Sequence, residues 1–156
     1  MDPMQALEHK IPPPIVMVVT GLIMWVIASI APSLDITLFV RVVDALIFAL
    51  AGVGFTIAGV VSFGRAKTTV NPLKPESATA LVSSGIYRVT RNPMYVGMLF
   101  VLIGWALFLA SVWTLIGPIV FVLFITRFQI LPEERVLENL FGAEFDAYKT
   151  KVRRWL

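Results

Sequence analysis

NPMYVGMLFVLIGWALFLASVWTLIGPIVFVLFIT, residues 92–126, contains no charged side chain. A helix needs about 17–25 apolar residues to cross a bilayer. The run is long enough for two passes, and Ser111-Val112-Trp113 near its centre predicts a tight connection between them. Two more charge-free runs precede it, at residues 11–34 and 45–64. The reading is an all-α integral membrane protein with four transmembrane helices, the third and fourth forming an antiparallel hairpin. Composition agrees: 58% of the 156 residues are hydrophobic and only 15% are charged, whereas soluble domains carry about 25% charge.

The first helix is expected at about 13–31. Pro12, Pro13 and Pro14 suit a first turn, where a missing N–H is harmless, and Ala31-Pro32-Ser33 ends it. The second is expected at about 37–63. Arg41 and Asp44 in its first turns are spaced to pair with each other. Gly52, Gly54 and Gly59 in its apolar middle would let a neighbouring helix approach closely. A polar connector at 64–92 follows, with Asn71-Pro72 and Lys74-Pro75 as turn signals. The third helix is expected at about 93–110, with Asn92 as N-cap and Pro93 at the first helical position. The fourth is expected at about 113–130, kinked at Gly117-Pro118. The segment 132–154 is amphipathic. Leu137, Leu140, Phe141, Phe145, Tyr148 and Val152 recur at helical spacing, and Gly142 divides it into two short helices. With no repeat or low-complexity tract, residues 1–156 read as a single domain.

Arg65, Lys67, Lys74, Arg88 and Arg91 lie in the connector, and Lys149, Lys151, Arg153 and Arg154 in the final segment. Four crossings put these regions on one side, and the positive-inside rule makes it the cytoplasm. Both termini are then cytoplasmic, and a bacterial inner membrane is the expected location. The mixed charge of MDPMQALEHK argues against a cleavable signal peptide. The absence of cysteine excludes disulfides and thiolate chemistry. No metal-ligand spacing, P-loop or GxGxxG is present. No metal and no nucleic-acid partner are expected.

Two polar blocks, SGIYRVTRNPMYVG at 84–97 and LPEERVLENLFGAEFDAY at 131–148, meet at the membrane boundary under this topology. Polar groups there cost free energy unless they bind something. The start of the third helix offers free N–H groups to an anion, and Arg91 and Arg88 add positive charge. Glu133 and Glu134 could bind ligand hydroxyls, offset a ligand cation, or hold Arg91 or Arg135 in place. The bland alternative is a capped helix with snorkelling arginines and acidic residues that favour a helix dipole. Arg153-Arg154-Trp155 reads as an interfacial anchor.

At LVSSGIYRVTRNPMYVG (81–97) and LPEERVLENLFGAEFDAYKTKVRRW (131–155) the chain resembles the isoprenylcysteine carboxyl methyltransferase and phospholipid methyltransferase superfamily. TTVNPLKP (68–75) looks like its bacterial members. The resemblance covers roughly the last two thirds of the chain. It implies a membrane enzyme that uses S-adenosylmethionine and releases S-adenosylhomocysteine. The cofactor would lie at the cytoplasmic face between the loop before the third helix, the start of that helix and the final segment. By position the candidate cofactor-binding residues are Gly85, Tyr87, Arg91, Asn92, Tyr95, Gly97, Glu133 and Glu134, with Arg91 and Glu134 as the catalytic candidates. A lipophilic acceptor would enter sideways from the membrane lipids. Many relatives carry histidine at the position of Asn92, which can cap and donate but supplies no titrating imidazole. The acceptor stays open between a carboxylate, an amine and a thiol, the last two needing a base such as Glu133 or Glu134. A small transporter or a non-catalytic adaptor are the competing classes. A transporter would place polar groups at mid-membrane, and an adaptor leaves Arg91-Asn92-Pro93 without a purpose.

Overall fold

The first helix, α1 (Pro13–Ile30), carries Pro13 in its first turn and ends where Ala31 turns extended ahead of Pro32. The computed structural model describes residues 11–66 and 80–156, all of its regular structure helical. The connector signals at 68–75 lie outside the described residues. α2 (Leu38–Arg65) follows, then a 3-10 turn (Gly85–Arg88) and α3 (Pro93–Leu109). A second 3-10 turn (Val112–Leu115) opens α4 (Ile116–Ile125), which passes through a π turn (Thr126–Ile130) into α5 (Leu131–Phe141) and then α6 (Ala143–Lys151). Three helical stretches are long and apolar enough to cross a membrane: α1, α2 and the continuous run Val112–Phe141. α3 is equally apolar but has 17 residues, about 25 Å of helix.

The fourth helix departs from its expected shape in two ways. It does not stop before Pro132, because α4, the π turn and α5 form one uninterrupted run. Proline in a helix clashes with the carbonyl four residues back, and the wider π turn immediately before Pro132 accommodates it. Gly117 and Pro118 sit in the first turn of α4, where proline is tolerated, so the irregular backbone falls at 126–130 instead.

α3 is the centre of the bundle. It packs against α1, α4 and, most extensively, α2. The α2–α3 seam is built from glycines. A side chain on Gly97 would strike Thr56 and the Gly52 carbonyl, and one on Gly52 would strike the Gly97 carbonyl. Gly59 packs on Pro93 and Met94, whereas Gly54 has nothing near it. Two of the three glycines in the apolar middle of α2 therefore serve packing. The exposed faces of α1, α2 and α4 are apolar, with Leu50 70% and Leu123 64% exposed, as lipid-facing surfaces are.

At the far end from the two polar blocks, Ala110 adopts a left-handed conformation (φ 51°) that closes α3. Its carbonyl accepts from the Leu34 amide at 2.6 Å, and the Ser111 hydroxyl donates to the Pro32 carbonyl at 2.9 Å. Arg41 donates from Nε to the Phe108 carbonyl at 2.6 Å and lies over the Phe108 ring. It ties α2 to the end of α3 instead of pairing with Asp44.

Two apolar cores result. One joins Met24, Tyr95, Leu102, Ala106, Phe121, Ile125 and Ile130 inside the bundle, with Trp155 against it. The other joins Val82, Tyr87, Phe145, Tyr148 and Val152, with Leu137 and Phe141 packed on it. The amphipathic face expected in the final segment thus folds back onto the 3-10 turn, with Leu140 left exposed. The chain turns between α5 and α6 at Gly142, φ 47°.

Candidate functional site

Glu134 is the hub of the site. It lies one turn into α5, where the passage through the π turn aims it at the start of α3. Arg91 Nη2 donates to its Oε1 at 2.8 Å, and Arg154 donates to both oxygens, Nε at 3.0 Å and Nη2 at 2.7 Å. Two guanidiniums share one buried carboxylate, so the cluster keeps a net positive charge. The bond to Glu134 raises the Arg154 guanidinium above its already high ordinary value. Arg91 also reaches the Lys149 carbonyl through Nη1 at 3.4 Å. Its Nε is buried and has no hydrogen-bond partner among the described residues.

Glu133, one residue earlier, accepts from the Tyr95 hydroxyl at 2.5 Å. Tyr87 is near enough to feel the Glu133 charge. Burial pushes the Tyr87 phenol well above its ordinary range, with Tyr148 and Glu133 adding to the shift. Burial does the same to Tyr148 against the opposing pull of Arg91. Tyr148 donates to the Tyr87 carbonyl at 2.7 Å, pinning α6 to the 3-10 turn. Gly85 starts that turn at φ 61°, a conformation that favours glycine, with Ser62 of α2 directly behind it.

The eight candidates divide by position. Arg91, Tyr95, Glu133 and Glu134 form two adjoining polar pairs, and Tyr87 walls them. Gly85 shapes the turn from a distance. The space left by Gly97 is filled by α2, so its contribution is to helix packing. Asn92 does not cap α3 with its side chain. The Asn92 amide N–H instead donates to Thr90 Oγ1 at 3.1 Å, and its side chain donates to the Arg154 carbonyl at 2.8 Å. The anchor reading of Arg154 and Trp155 missed their inward contacts. Trp155 Nε1 donates to Thr126 Oγ1 in the π turn at 3.2 Å. Gln129 in the same turn is fully buried and donates to the Ile11 carbonyl at 2.9 Å. Nothing in the local sequence signals these pairings, because each joins residues brought together only by the bundle.

Further along α3, towards its Ala110 end, an apolar cleft of about 650 Å³ opens between α1 and α2, lined by Gly21, Leu22, Trp25, Ala49, Val101 and Trp105 among others. Val101 lies about 9 Å further along α3 than Tyr95, at 1.5 Å per residue. The geometry thus sets charged and aromatic groups at the end of a helical bundle, with an apolar opening deeper along the same helix.

Residues 40–144 match the model of the phospholipid methyltransferase family. The chain is 31% identical to a probable protein-S-isoprenylcysteine O-methyltransferase of Oryza sativa over 132 residues, 83% of this chain and 67% of that one. It is 33% identical to the protein-S-isoprenylcysteine O-methyltransferase of Saccharomyces cerevisiae over 92 residues, 57% of this chain and 37% of the yeast enzyme. A segment of 63 residues, 40% of this chain, is 48% identical to the whole of an uncharacterized Haemophilus influenzae protein. No solved structure matches the chain. A family match over most of the chain, on helices apolar enough to cross a membrane, makes this protein a methyltransferase of the phospholipid methyltransferase family.

Proposed function

We propose that this chain transfers a methyl group from S-adenosylmethionine to a lipophilic or small acceptor at the cytoplasmic face of a membrane, in a bacterium the inner membrane. The whole chain acts as one domain, with α3 as the fourth crossing and both termini cytoplasmic. The observation that carries the proposal is the buried, unpartnered Nε of Arg91. It sits in a positively charged cluster beside the Tyr95–Glu133 pair. An unpaired buried donor costs about 1–3 kcal/mol, and a ligand carboxylate that displaced its neighbours to reach Arg91 Nε would remove that cost. The donor set fits S-adenosylmethionine on this count: guanidiniums for its carboxylate, and Glu133 with two phenol rings for its positive charge and hydroxyls. Bound there, the cofactor would supply an electrophilic methyl group.

The protein's own residues do the rest. Arg91 holds and orients the anionic group, and Glu134 keeps Arg91 in place. Tyr95 fixes one oxygen of Glu133 and so directs the carboxylate. Tyr87, Phe145 and Tyr148 exclude water on the α6 side. Neutralising charge in a dry site favours attack by an anionic acceptor. A carboxylate acceptor needs no base. An amine or thiol would pass its proton to Glu133, since both Glu134 oxygens are engaged. The apolar cleft between α1 and α2 is open towards lipid and suits the hydrocarbon part of the acceptor. The transporter reading loses ground because the charged pairs gather at one end of the bundle.

Calorimetry on detergent-purified protein should show micromolar binding of S-adenosylhomocysteine. Arg91→Ala and Glu134→Gln should lose it while still inserting in membranes. A folded wild-type protein that gives no binding heat would rule the proposal out. Transfer of labelled methyl from the cofactor to a total lipid and small-molecule extract would then identify the acceptor by mass spectrometry.

A further inference from the structure

After α6 the backbone turns extended at Val152 and crosses the entrance to α3. Residues 152–155 are held along this path by three different parts of the fold. The Arg153 carbonyl accepts from the Arg91 amide at 2.9 Å. The Arg154 carbonyl accepts twice, from Thr90 Oγ1 at 3.2 Å and Asn92 Nδ2 at 2.8 Å. The Arg154 side chain grips Glu134 of α5, and Trp155 reaches Thr126 of the π turn.

We infer that residues 152–155 are a strap that positions the site, and that Asn92 is the residue that latches it. The inference rests on the proposed reading of Arg91 and Glu134 as the ligand end of the protein. Arg91 is tied to the strap from both ends: its amide bonds the strap directly, and its guanidinium reaches it through Glu134 and Arg154. The Arg154 side chain is 35% exposed, so water weakens its ion pair and leaves its direction under-determined. Fixing the carbonyl of the same residue removes that freedom. Thr90 and Asn92 together fill both lone pairs of that carbonyl. The Asn92 amide is neutral, so it donates at any pH. An aspartate there would present an anion to a carbonyl and release the strap. Asn92 is therefore a positioning residue that acts through Arg154 on Glu134 and Arg91.

Two measurements on the full chain in detergent test this. The first needs no ligand. Trypsin cuts after Lys151 and Arg153, and it requires an undocked backbone. Asn92→Ala should speed cleavage at these bonds about three- to tenfold, the equivalent of one neutral hydrogen bond, with helix content unchanged by circular dichroism. Thr90→Val, which keeps the buried shape, should act in the same direction and stands in if Asn92→Ala does not fold. Unchanged cleavage in the variants overturns the latch, whether or not the protein binds a cofactor. The second is S-adenosylhomocysteine affinity in a double-mutant cycle. If Asn92 acts through Arg154, the double variant Asn92→Ala/Arg154→Ala binds no more weakly than Arg154→Ala alone. Losses that multiply would instead make Asn92 a ligand contact and overturn the inference. Absence of binding by the wild type would count against the cofactor reading and leave the cleavage result to decide the strap.

Discussion

Glu134 and Glu133 are adjacent in sequence and do different work. Glu134 is 9% exposed and balances two arginines, so removing it would strand like charges side by side. Breaking such a pair costs about 3–5 kcal/mol when fully buried, and less here because Arg154 is partly wet. Glu133 faces a phenol instead. The tyrosines give a second residue-scale expectation. The chain has three, and two of them, Tyr87 and Tyr148, are held as phenols by burial. An unfolded tyrosine ionises near pH ~10. A raised folded-state value means that their contribution to stability is complete below that pH and is lost as the pH climbs towards the folded values. Ultraviolet titration of the native protein should find no more than one tyrosine titrating near its ordinary value, and the part of the stability that these two phenols contribute should be lost only above pH ~10. Two or three phenols titrating normally in a folded sample would contradict the buried Tyr87–Tyr148 cluster. The residue types at this site were legible in the sequence. Which carboxylate met which partner was not, because a one-residue step on a helix turns a side chain by about 100°.

Among the elements, the α2–α3 seam and the π turn decide how the site is held. Glycine in α2 was readable as a packing signal, but its specificity was not: Gly52 and Gly59 contact α3, and Gly54 faces away. Gly97→Ala should therefore lower thermal stability by the 1–3 kcal/mol typical of overpacking, since backbone on the opposite helix cannot move aside. Gly54→Ala, which meets nothing, should leave the melting temperature unchanged or slightly raised. Equal effects of the two substitutions on detergent-solubilised protein would show that Gly97 does not lie in the α2–α3 seam. The π turn was hidden for a different reason. Residues 126–130 carry a helical pattern, and only the position of Pro132 after them hints at a wider turn. That turn joins α4 to α5 without a break and holds Trp155 and Ile11 through Thr126 and Gln129.

At the scale of the whole molecule, the proposed topology makes a simple prediction. The chain has no cysteine, so single cysteines report sidedness directly. Gly64→Cys and Ala143→Cys should react with impermeant maleimide only from the cytoplasm, and Ser33→Cys and Val112→Cys only from outside. Labelling of Val112→Cys from the cytoplasmic side would mean that α3 does not cross. The sequence by itself determined the all-helical class, the apolar runs, the two polar blocks and the family likeness. These are properties of composition and spacing along one helix, where period and charge suffice. Only the tertiary structure decided that the side chain of Asn92, at the N-cap of α3, bonds the Arg154 carbonyl instead of an α3 amide, that Arg154 turns inward to Glu134, and that Gly97 serves a neighbouring helix. Each of these is a contact between groups far apart in the chain. Its geometry depends on how several helices rotate and stack, which no local pattern encodes.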